Sequence, residues 1–540
     1  MRQLLVPVAL VLASAGLARA EEGEAARCGA LAARALGAAK VTSAEIVAAG
    51  AFTPPPAASP WLVGDPAVYK GVPAFCRVIA EARPSADSAI AIEVWMPARG
   101  WNGKLQSHGN GGFAGEIGYL LMAASVGQGY ATAETNTGHS GAGTDASWAL
   151  GHPEKVIDFG YRAIHEMTQT AKAAIKAFYG KPQAHAYFNG CSNGGRQALM
   201  EAQRFPGDYD GIVAGAPANY WTHLLTSALW DAQATTNDDA SYIPSSKLPA
   251  LAGAINAACD AKDGVTDGVL DDPRQCAFDP STMRCGDTDS ASCLTAPQAT
   301  ALKKLYDGPS DAGGRRIFPG FLPGAEEGQG GWGLWITGPT PGEGLLFKFA
   351  NGFFANMVYE KADWNYKTAR LAEALQAAET KTAAHLNAND PNLKPFKDRG
   401  SKLILYHGWN DPAISAINTV DYYDRVLATL PPGDASAFLR LYMAPGVQHC
   451  ADGPGASAFG QAPLRPSDPR HSVTLALEQW VEGGTAPSAI VATKYAAAPG
   501  AEAGTRTFAM TRLLCPYPQV AVYKGTGDTN DAASFDCATR

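Results

Sequence analysis

The sequence predicts an α/β protein: a mostly parallel sheet covered by helices, with a large insertion. Three observations predict it. Short apolar strands alternate with helical segments from Ala89 to Ala214. The alternation stops across residues 219–397, a stretch rich in Gly, Pro, Trp and Asp that holds four cysteines. It resumes from Lys402 to Glu482. A chain of 540 residues exceeds one compact core, so a large domain with an insertion, or two domains, is expected.

Residues 1–20 read as a secretory leader, with Arg2 as the positive start, an apolar run from Leu4 to Leu17, and Ala18-Arg19-Ala20 as the cleavage site. The run is short of the ~20 residues a membrane span needs. Its removal takes Arg2 and Arg19 with it and moves the formal charge from −8 to −10. With no basic tail or Lys/Arg stripe, nucleic acid is not an expected partner. No later stretch is apolar enough to span a bilayer, and nothing in the sequence speaks to oligomeric state. A secreted or periplasmic location is expected, and there an even set of ten cysteines predicts disulfides.

Residues up to about 60 carry an Ala-rich amphipathic pattern ending in Pro54-Pro55-Pro56. The run AIAIEVWMP (89–97) alternates and predicts a strand. A turn at 99–103 leads to a strand at 104–107 and a glycine-rich loop, 108–112. A short strand is expected at 131–134, and a helix over 159–179 that stops at Gly180-Lys181-Pro182. Then come a strand at 184–188, a helix at 196–204 and a strand at 211–214. After the insertion, a strand at 402–406, a helix at 417–427, a strand at 438–443 and a helix at 471–482 complete the pattern.

Gly190-Cys191-Ser192-Asn193-Gly194-Gly195 fits G-x-S-x-G between a predicted strand and a predicted helix. That context makes Ser192 a nucleophile candidate: small neighbours permit a turn tight enough to hold the hydroxyl out at the sheet edge. Such a turn is the mark of an α/β-hydrolase fold. The other reading is an ordinary strand-to-helix turn with a capping serine. In this fold the acid and base follow in the order Ser, Asp, His. Asp411 comes just after KLILYHG, and His449 lies in the loop after FLRLYM. Alone, Asp411 reads as a turn residue before Pro412. His407 precedes Asp411 from within or beside a strand, His471 starts a helix, and His108 and His139 precede the serine. Cys191 adjoins Ser192 and Cys450 adjoins His449. If the two catalytic atoms meet at about 3 Å, those cysteines come within the ~4.4–6.8 Å Cα range of a disulfide. Otherwise each cysteine pairs elsewhere.

Together these residues resemble the tannase and feruloyl esterase family, which also includes the hydrolase of mono(2-hydroxyethyl) terephthalate. The resemblance rests on W-N-G-K at 101–104, the glycine loop at 109–112, T-G-H-S at 137–140, G-C-S-x-G-G, the acidic loop described next, G-W-N-D and His-Cys at 449–450. It implies an α/β-hydrolase domain (21–218 and 398–540), an inserted lid (219–397), and ester hydrolysis through an acyl-enzyme. It also implies the pairs Cys28–Cys76, Cys191–Cys450, Cys259–Cys276, Cys285–Cys293 and Cys515–Cys537. The backbone N–H of Asn193 is expected as one oxyanion donor, with Gly111 or Gly112 as the second.

Residues 259–273, CDAKDGVTDGVLDDP, space carboxylates between turn glycines, an oxygen-rich set that suits Ca²⁺. The run is not an EF-hand, and an exposed acidic turn is the plainer reading. The family resemblance implies a structural Ca²⁺ held by the side chains of Asp260, Asp263 and Asp267 and the carbonyls of Val265 and Val269. The functional expectation is therefore a secreted serine esterase for small aromatic esters. Feruloyl esters come first, galloyl and mono(2-hydroxyethyl) terephthalate esters second. The tryptophans and phenylalanines at 332–364 line a pocket or form lid core. A different class, a secreted calcium- or carbohydrate-binding protein on a decayed hydrolase scaffold, requires a damaged triad, whereas Ser, Asp and His are all present. A zinc hydrolase requires ligands such as H-E-x-x-H, and none occurs.

Overall fold

Runs of Val, Ile, Leu, Ala and Tyr form one ten-stranded sheet in the spatial order β1-β2-β3-β4-β6-β5-β7-β8-β9-β10. The strands are β1 (Ala35–Leu36), β2 (Ala39–Val47), β3 (Phe75–Ala82), β4 (Ile90–Pro97), β5 (Lys104–His108), β6 (Ala131–Thr135), β7 (His185–Cys191), β8 (Gly211–Gly215), β9 (Lys402–Gly408) and β10 (Leu439–Ala444). The first four and β6 pair antiparallel. From β6 through β5, β7, β8 and β9 to β10 the pairing is parallel, so those strands end on one edge. The computed structural model describes residues 22–32, 34–59, 62–461, 463, 468–497 and 506–539. The expected leader, 1–20, lies outside them.

Adjacent residues on the parallel strands enter opposite cores, as the two-residue period of a strand requires. Phe188, Ile212, Leu403 and Leu405 pack on one face. Tyr187, Val213, Ile404 and Tyr406 pack on the other. Helices α1 (Tyr119–Gly127), α2 (Ala163–Tyr179) and α3 (Asn193–Arg204) follow β5, β6 and β7. The insertion between β8 and β9 carries α4 (Trp221–Thr236), α5 (Leu248–Cys259), α6 (Ala296–Asp307), α7 (Leu345–Gly352) and α8 (Leu371–Leu386). Helices α9 (Ala416–Ala428) and α10 (Val473–Gly483) return to the sheet. Residues of α2, α3 and α9 join the Phe188 face, and Leu477 and Trp480 of α10 join the Tyr187 face. This is an α/β-hydrolase fold with a large inserted lid.

The lid has its own core. Trp221, Leu225, Leu251, Ile255, Leu302 and Phe353 bury one another, and Phe113 and Phe159 of the sheet domain enter the same cluster. Lid and sheet therefore share apolar surface. Five disulfides join Cys28–Cys76, Cys191–Cys450, Cys259–Cys276, Cys285–Cys293 and Cys515–Cys537.

Two stretches differ from the pattern read in the sequence. The Ala-rich region is helical only over 22–29, then turns into β1 and β2. Alanine fits either structure. Val41, Thr42, Ile46 and Val47 are β-branched, and pairing with β3 settles the outcome. Two C-terminal hairpins, β11 (Ile490–Ala497) with β12 (Arg506–Leu514) and β13 (Val520–Tyr523) with β14 (Phe535–Ala538), follow α10.

Leu405 is fully buried on β9, between β8 and β10. Leu405→Ala is expected to lower the unfolding free energy by about 2–5 kcal/mol, the cost of an uncollapsed cavity. Denaturant midpoints at an unchanged m-value measure it. A loss below about 1 kcal/mol would mean that the core on that face of the sheet closes over the gap.

Candidate active site

β7 ends at Cys191 and α3 begins at Asn193, so Ser192 alone makes the turn from strand to helix. It sits at φ 66° and ψ −125°, a conformation disfavoured for a side chain. The neighbours explain how it is held. A Cβ on Gly194 would come within 3.1 Å of the Gly109 carbonyl carbon, and one on Gly195 within 2.9 Å of Pro217 Cα. Ser192 N donates to Gly215 O at 3.0 Å and Ala218 N donates to Ser192 O at 3.1 Å, locking the turn to the end of β8. As the first residue of α3, Asn193 has no preceding helical carbonyl for its N–H.

Asp411 and His449 follow β9 and β10 on the same sheet edge. His449 Nδ1 lies 2.8 Å from Asp411 Oδ2. A second imidazole shares that oxygen: His407 Nε2 lies 3.0 Å from Oδ2, while its Nδ1 lies 2.7 Å from Thr419 Oγ1. The other oxygen, Oδ1, accepts from the amides of Ala413 and Ile414 at 2.8 and 2.9 Å. Burial alone pushes the Asp411 carboxyl up, but the His449 and His407 imidazoles more than offset it and hold it well below the usual carboxylate range.

Ser192, Asn193, Gly112 and His449 line one small cavity whose remaining wall is apolar, chiefly Trp221, Leu224, Ala228, Trp335, Leu346 and Phe349. The lid's Trp335 ring meets the His449 ring edge-on at 4.7 Å. Of the two glycines expected as oxyanion donors, Gly112 lines this cavity. Gly111 is not among the lining residues, and its carbonyl accepts from Ala114 N at 2.9 Å. Of the aromatic residues at 332–364, Trp335 and Phe349 face the cavity, whereas Trp332, Phe353 and Phe354 are lid core.

Arg196, one turn after the serine, is a residue the sequence motif did not single out. It is fully buried, and its guanidinium donates to Asn193 Oδ1 at 2.8 Å, Gly160 O at 2.8 Å and Phe159 O at 3.0 Å. The rings of Phe159 and Trp221 face it at 4.7 and 5.1 Å. Burial lowers its pKa to about 9. A cation there holds the start of α3, the sheet domain and the lid together through carbonyls and ring faces.

Asn410 and Gln448, the residues just before Asp411 and His449, grip the lid. Asn410 Nδ2 donates to Gly324 O, and Asn410 Oδ1 accepts from Gly446 N at 3.1 Å. Gln448 Nε2 donates to Glu327 O at 2.7 Å. Between those lid carbonyls lies Glu326, fully buried and held by Tyr306 Oη at 2.6 Å and Gly324 N at 2.7 Å.

The other histidines stand apart. His139 of T-G-H-S bonds Phe113 O at 2.7 Å and stacks on Trp148 at 3.7 Å. His108 bonds Ser125 Oγ at 2.7 Å, and His471 bonds Asp468.

In the acidic loop Asp260 accepts from Asp267 N and Gly268 N at 3.3 and 3.0 Å. Asp263 accepts from Val265 N and Asp271 N, both at 3.0 Å. Asp267 accepts from Val269 N at 3.1 Å and is ion-paired with Arg512. Burial raises the carboxyls of Asp263 and Asp267, and neighbouring aspartates raise them further. The loop thus concentrates more negative charge than one arginine balances. Its donors are all oxygen, which fits a hard divalent cation.

The family model for tannase and feruloyl esterase matches residues 76–538. An uncharacterized esterase of Xanthomonas campestris pv. campestris is 41% identical, covering 97% of this chain and 93% of that protein. The mono(2-hydroxyethyl) terephthalate hydrolase of Piscinibacter sakaiensis is 35% identical over 83% of this chain and 81% of its own length. The crystal structure of feruloyl esterase B from Aspergillus oryzae superposes with a TM-score of 0.85 at 30% identity, covering 95% of this chain and all of that one.

The depressed Asp411 carboxyl contributes stability that is complete above its unfolded value near ~4 and is lost as pH falls through the lower folded value. His407→Leu removes one of the groups that lower it. The acid-unfolding midpoint is therefore expected to move to higher pH. Stability near neutrality should also fall by about 2–5 kcal/mol, because a buried charge loses a partner. Guanidinium unfolding across roughly pH 3 to 7 reads both effects. Superimposable wild-type and variant profiles would show that His407 does not stabilise the Asp411 carboxylate.

Proposed function

Since the chain belongs to the tannase and feruloyl esterase family and is a carboxylic ester hydrolase, we propose that it is a secreted serine esterase of feruloyl-type aromatic esters, with Ser192, His449 and Asp411 as its triad. One observation carries this reading. His449 is held through Nδ1 by buried Asp411, while the residue itself lines the same cavity as Ser192.

In this reading Ser192 Oγ attacks the ester carbonyl as His449 Nε2 takes its proton, and Asp411 keeps the imidazole oriented. The developing oxyanion accepts from the Asn193 N–H at the start of α3, with Gly112 as the second donor. His449 returns the proton to the departing alcohol. Water then cleaves the acyl-enzyme by the same exchange. An apolar, partly aromatic cavity supports an aromatic acyl group. The leader in the sequence and five disulfides support an oxidising location outside the cytoplasm.

For the acidic loop we propose a structural Ca²⁺ held by Asp260, Asp263 and Asp267 with the carbonyls of Val265 and Val269. The ion would tie the lid to the C-terminal hairpin, where Val265 packs with Cys515 and Phe535. Serine chemistry needs no metal, so this ion takes no part in the reaction.

Ser192→Ala is expected to lower kcat/KM on methyl ferulate by about 10⁴-fold or more. Activity within about tenfold of wild type would reject the triad. In a panel with methyl gallate and mono(2-hydroxyethyl) terephthalate, methyl ferulate should give the highest kcat/KM. Chelation with EDTA is expected to lower Tm by several degrees, since a ligand at a hundredfold its Kd contributes about 2.7 kcal/mol. Below that transition kcat/KM should hold. A Tm that ignores both EDTA and added Ca²⁺ would remove the ion from the loop.

A further inference from the structure

Helices α2 and α3, both packed on the Phe188 face of the sheet, meet the loop into β8 at one imidazole and two carboxylates. His165 lies in the first turn of α2, Glu201 in the last turn of α3, and Asp208 in the loop. One ligating atom of each lies within 4.8 Å of the other two. None of the three lines the cavity at Ser192. Glu201 stands about 13 Å along α3 from that serine.

Glu201 is 1% exposed, and neither of its carboxylate oxygens meets a hydrogen-bond partner among the described residues. A buried carboxylate without donors is costly, so it calls for an ion, a water or a proton. The groups around it are already ordered. Gln169, one turn after His165 on α2, donates to Asp208 Oδ1 at 2.7 Å. That leaves Oδ2 to face His165 Nδ1, also at 2.7 Å. The Phe205 ring stacks on the imidazole at 4.0 Å and sets its plane. The Lys172 ammonium donates to the carbonyls of Gly207 and Asp208 and lies 3.8 Å from Asp208 Oδ1. Its single charge balances one of the two carboxylates. The His165 side chain is 30% exposed, which opens the cluster to solvent.

One ring nitrogen with two carboxylate oxygens suits a borderline divalent ion such as Zn²⁺ better than Ca²⁺, which takes oxygen ligands. Ligands at ~2.0–2.2 Å from a shared Zn²⁺ lie at most ~4.4 Å apart, so side-chain shifts of under ~1 Å close the set. We propose that His165, Glu201 and Asp208 form a structural Zn²⁺ site, distinct from the acidic loop, that ties α2, α3 and the entry to β8 together. Water completes the tetrahedron on the exposed side. The ion takes no part at Ser192, which stands at the opposite end of α3.

The test is calorimetric titration of the full chain with ZnCl₂, after dialysis against EDTA and then into buffer with millimolar Ca²⁺. The calcium keeps the acidic loop from taking the zinc. One equivalent of Zn²⁺ should bind with a Kd below about 10 μM, and Tm should rise with added Zn²⁺. Glu201→Gln, of equal size, and His165→Ala, at a partly exposed position, should each raise Kd by about tenfold or more and shrink the Tm rise. His471→Ala, which removes a surface histidine paired with Asp468, should change neither. His165→Ala decides alone if the buried substitution prevents folding. The proposal is overturned if wild type takes up no Zn²⁺, if the His165 variant titrates like wild type, or if His471→Ala abolishes the binding. No uptake, with Glu201→Gln as stable as wild type, would mean that Glu201 and Asp208 share a proton instead.

Discussion

A carboxylate with no access to water must find its whole solvation shell inside the protein, and Asp411 does. One oxygen takes the amides of Ala413 and Ile414, two and three residues ahead. The other takes His407 and His449. Pro412, between the aspartate and those amides, has no N–H to compete and pre-sets a turn. The four donors come from β9, the turn after it and the loop after β10. Satisfying one buried charge thus fixes the relative positions of two strand ends. It also fixes the His449 ring through Nδ1.

The serine side is constrained differently, by sterics. Ser192 and Cys450 both have φ above 60°: Ser192 adjoins one half of the Cys191–Cys450 bridge, and Cys450 is the other half. Backbone in that region costs about 1–3 kcal/mol per residue and persists only where the surroundings over-determine it. Here the glycines at 190, 194 and 195, the bonds to Gly215 O and Ala218 N, and the covalent bridge supply that surplus. Arg196 supplies more, since its guanidinium joins the Asn193 side chain to carbonyls of the segment before α2 and to the face of a lid tryptophan.

What the sequence disclosed follows from which forces are local. The strands of the parallel half were legible because burial on both faces writes near-continuous apolar runs, and Ser192 was legible because tight sterics demand glycine at fixed offsets. The Ala-rich N-terminal segment misled because alanine satisfies helix and strand alike and its pairing partner β3 lies some thirty residues on. His407 was visible four residues before Asp411, yet sequence order argued against it. Only the buried carboxylate's demand for donors reveals its role. Arg196 had no sequence signal at all, because an arginine on a helix reads as a surface residue until the lid is in place. The disulfide partners came from the family resemblance, since spacing does not determine pairing.

The lid is commonly pictured as a separate cover, but the contacts here divide it. Its segment 324–328 is bonded to Asn410 and Gln448, the residues immediately before Asp411 and His449, and Glu326 is buried beneath it against Tyr306. Displacing that segment would break hydrogen bonds to the two loops that carry Asp411 and His449, so it belongs to their foundation. α4 and α7, by contrast, meet the cavity through apolar side chains such as Leu224 and Leu346, which slide without leaving a polar group unpaired. A ring entering between them displaces only dispersion contacts. On this arrangement the proposed chemistry is fixed by the polar half of the lid and the choice of acyl group by the apolar half, so each can vary while the other is kept.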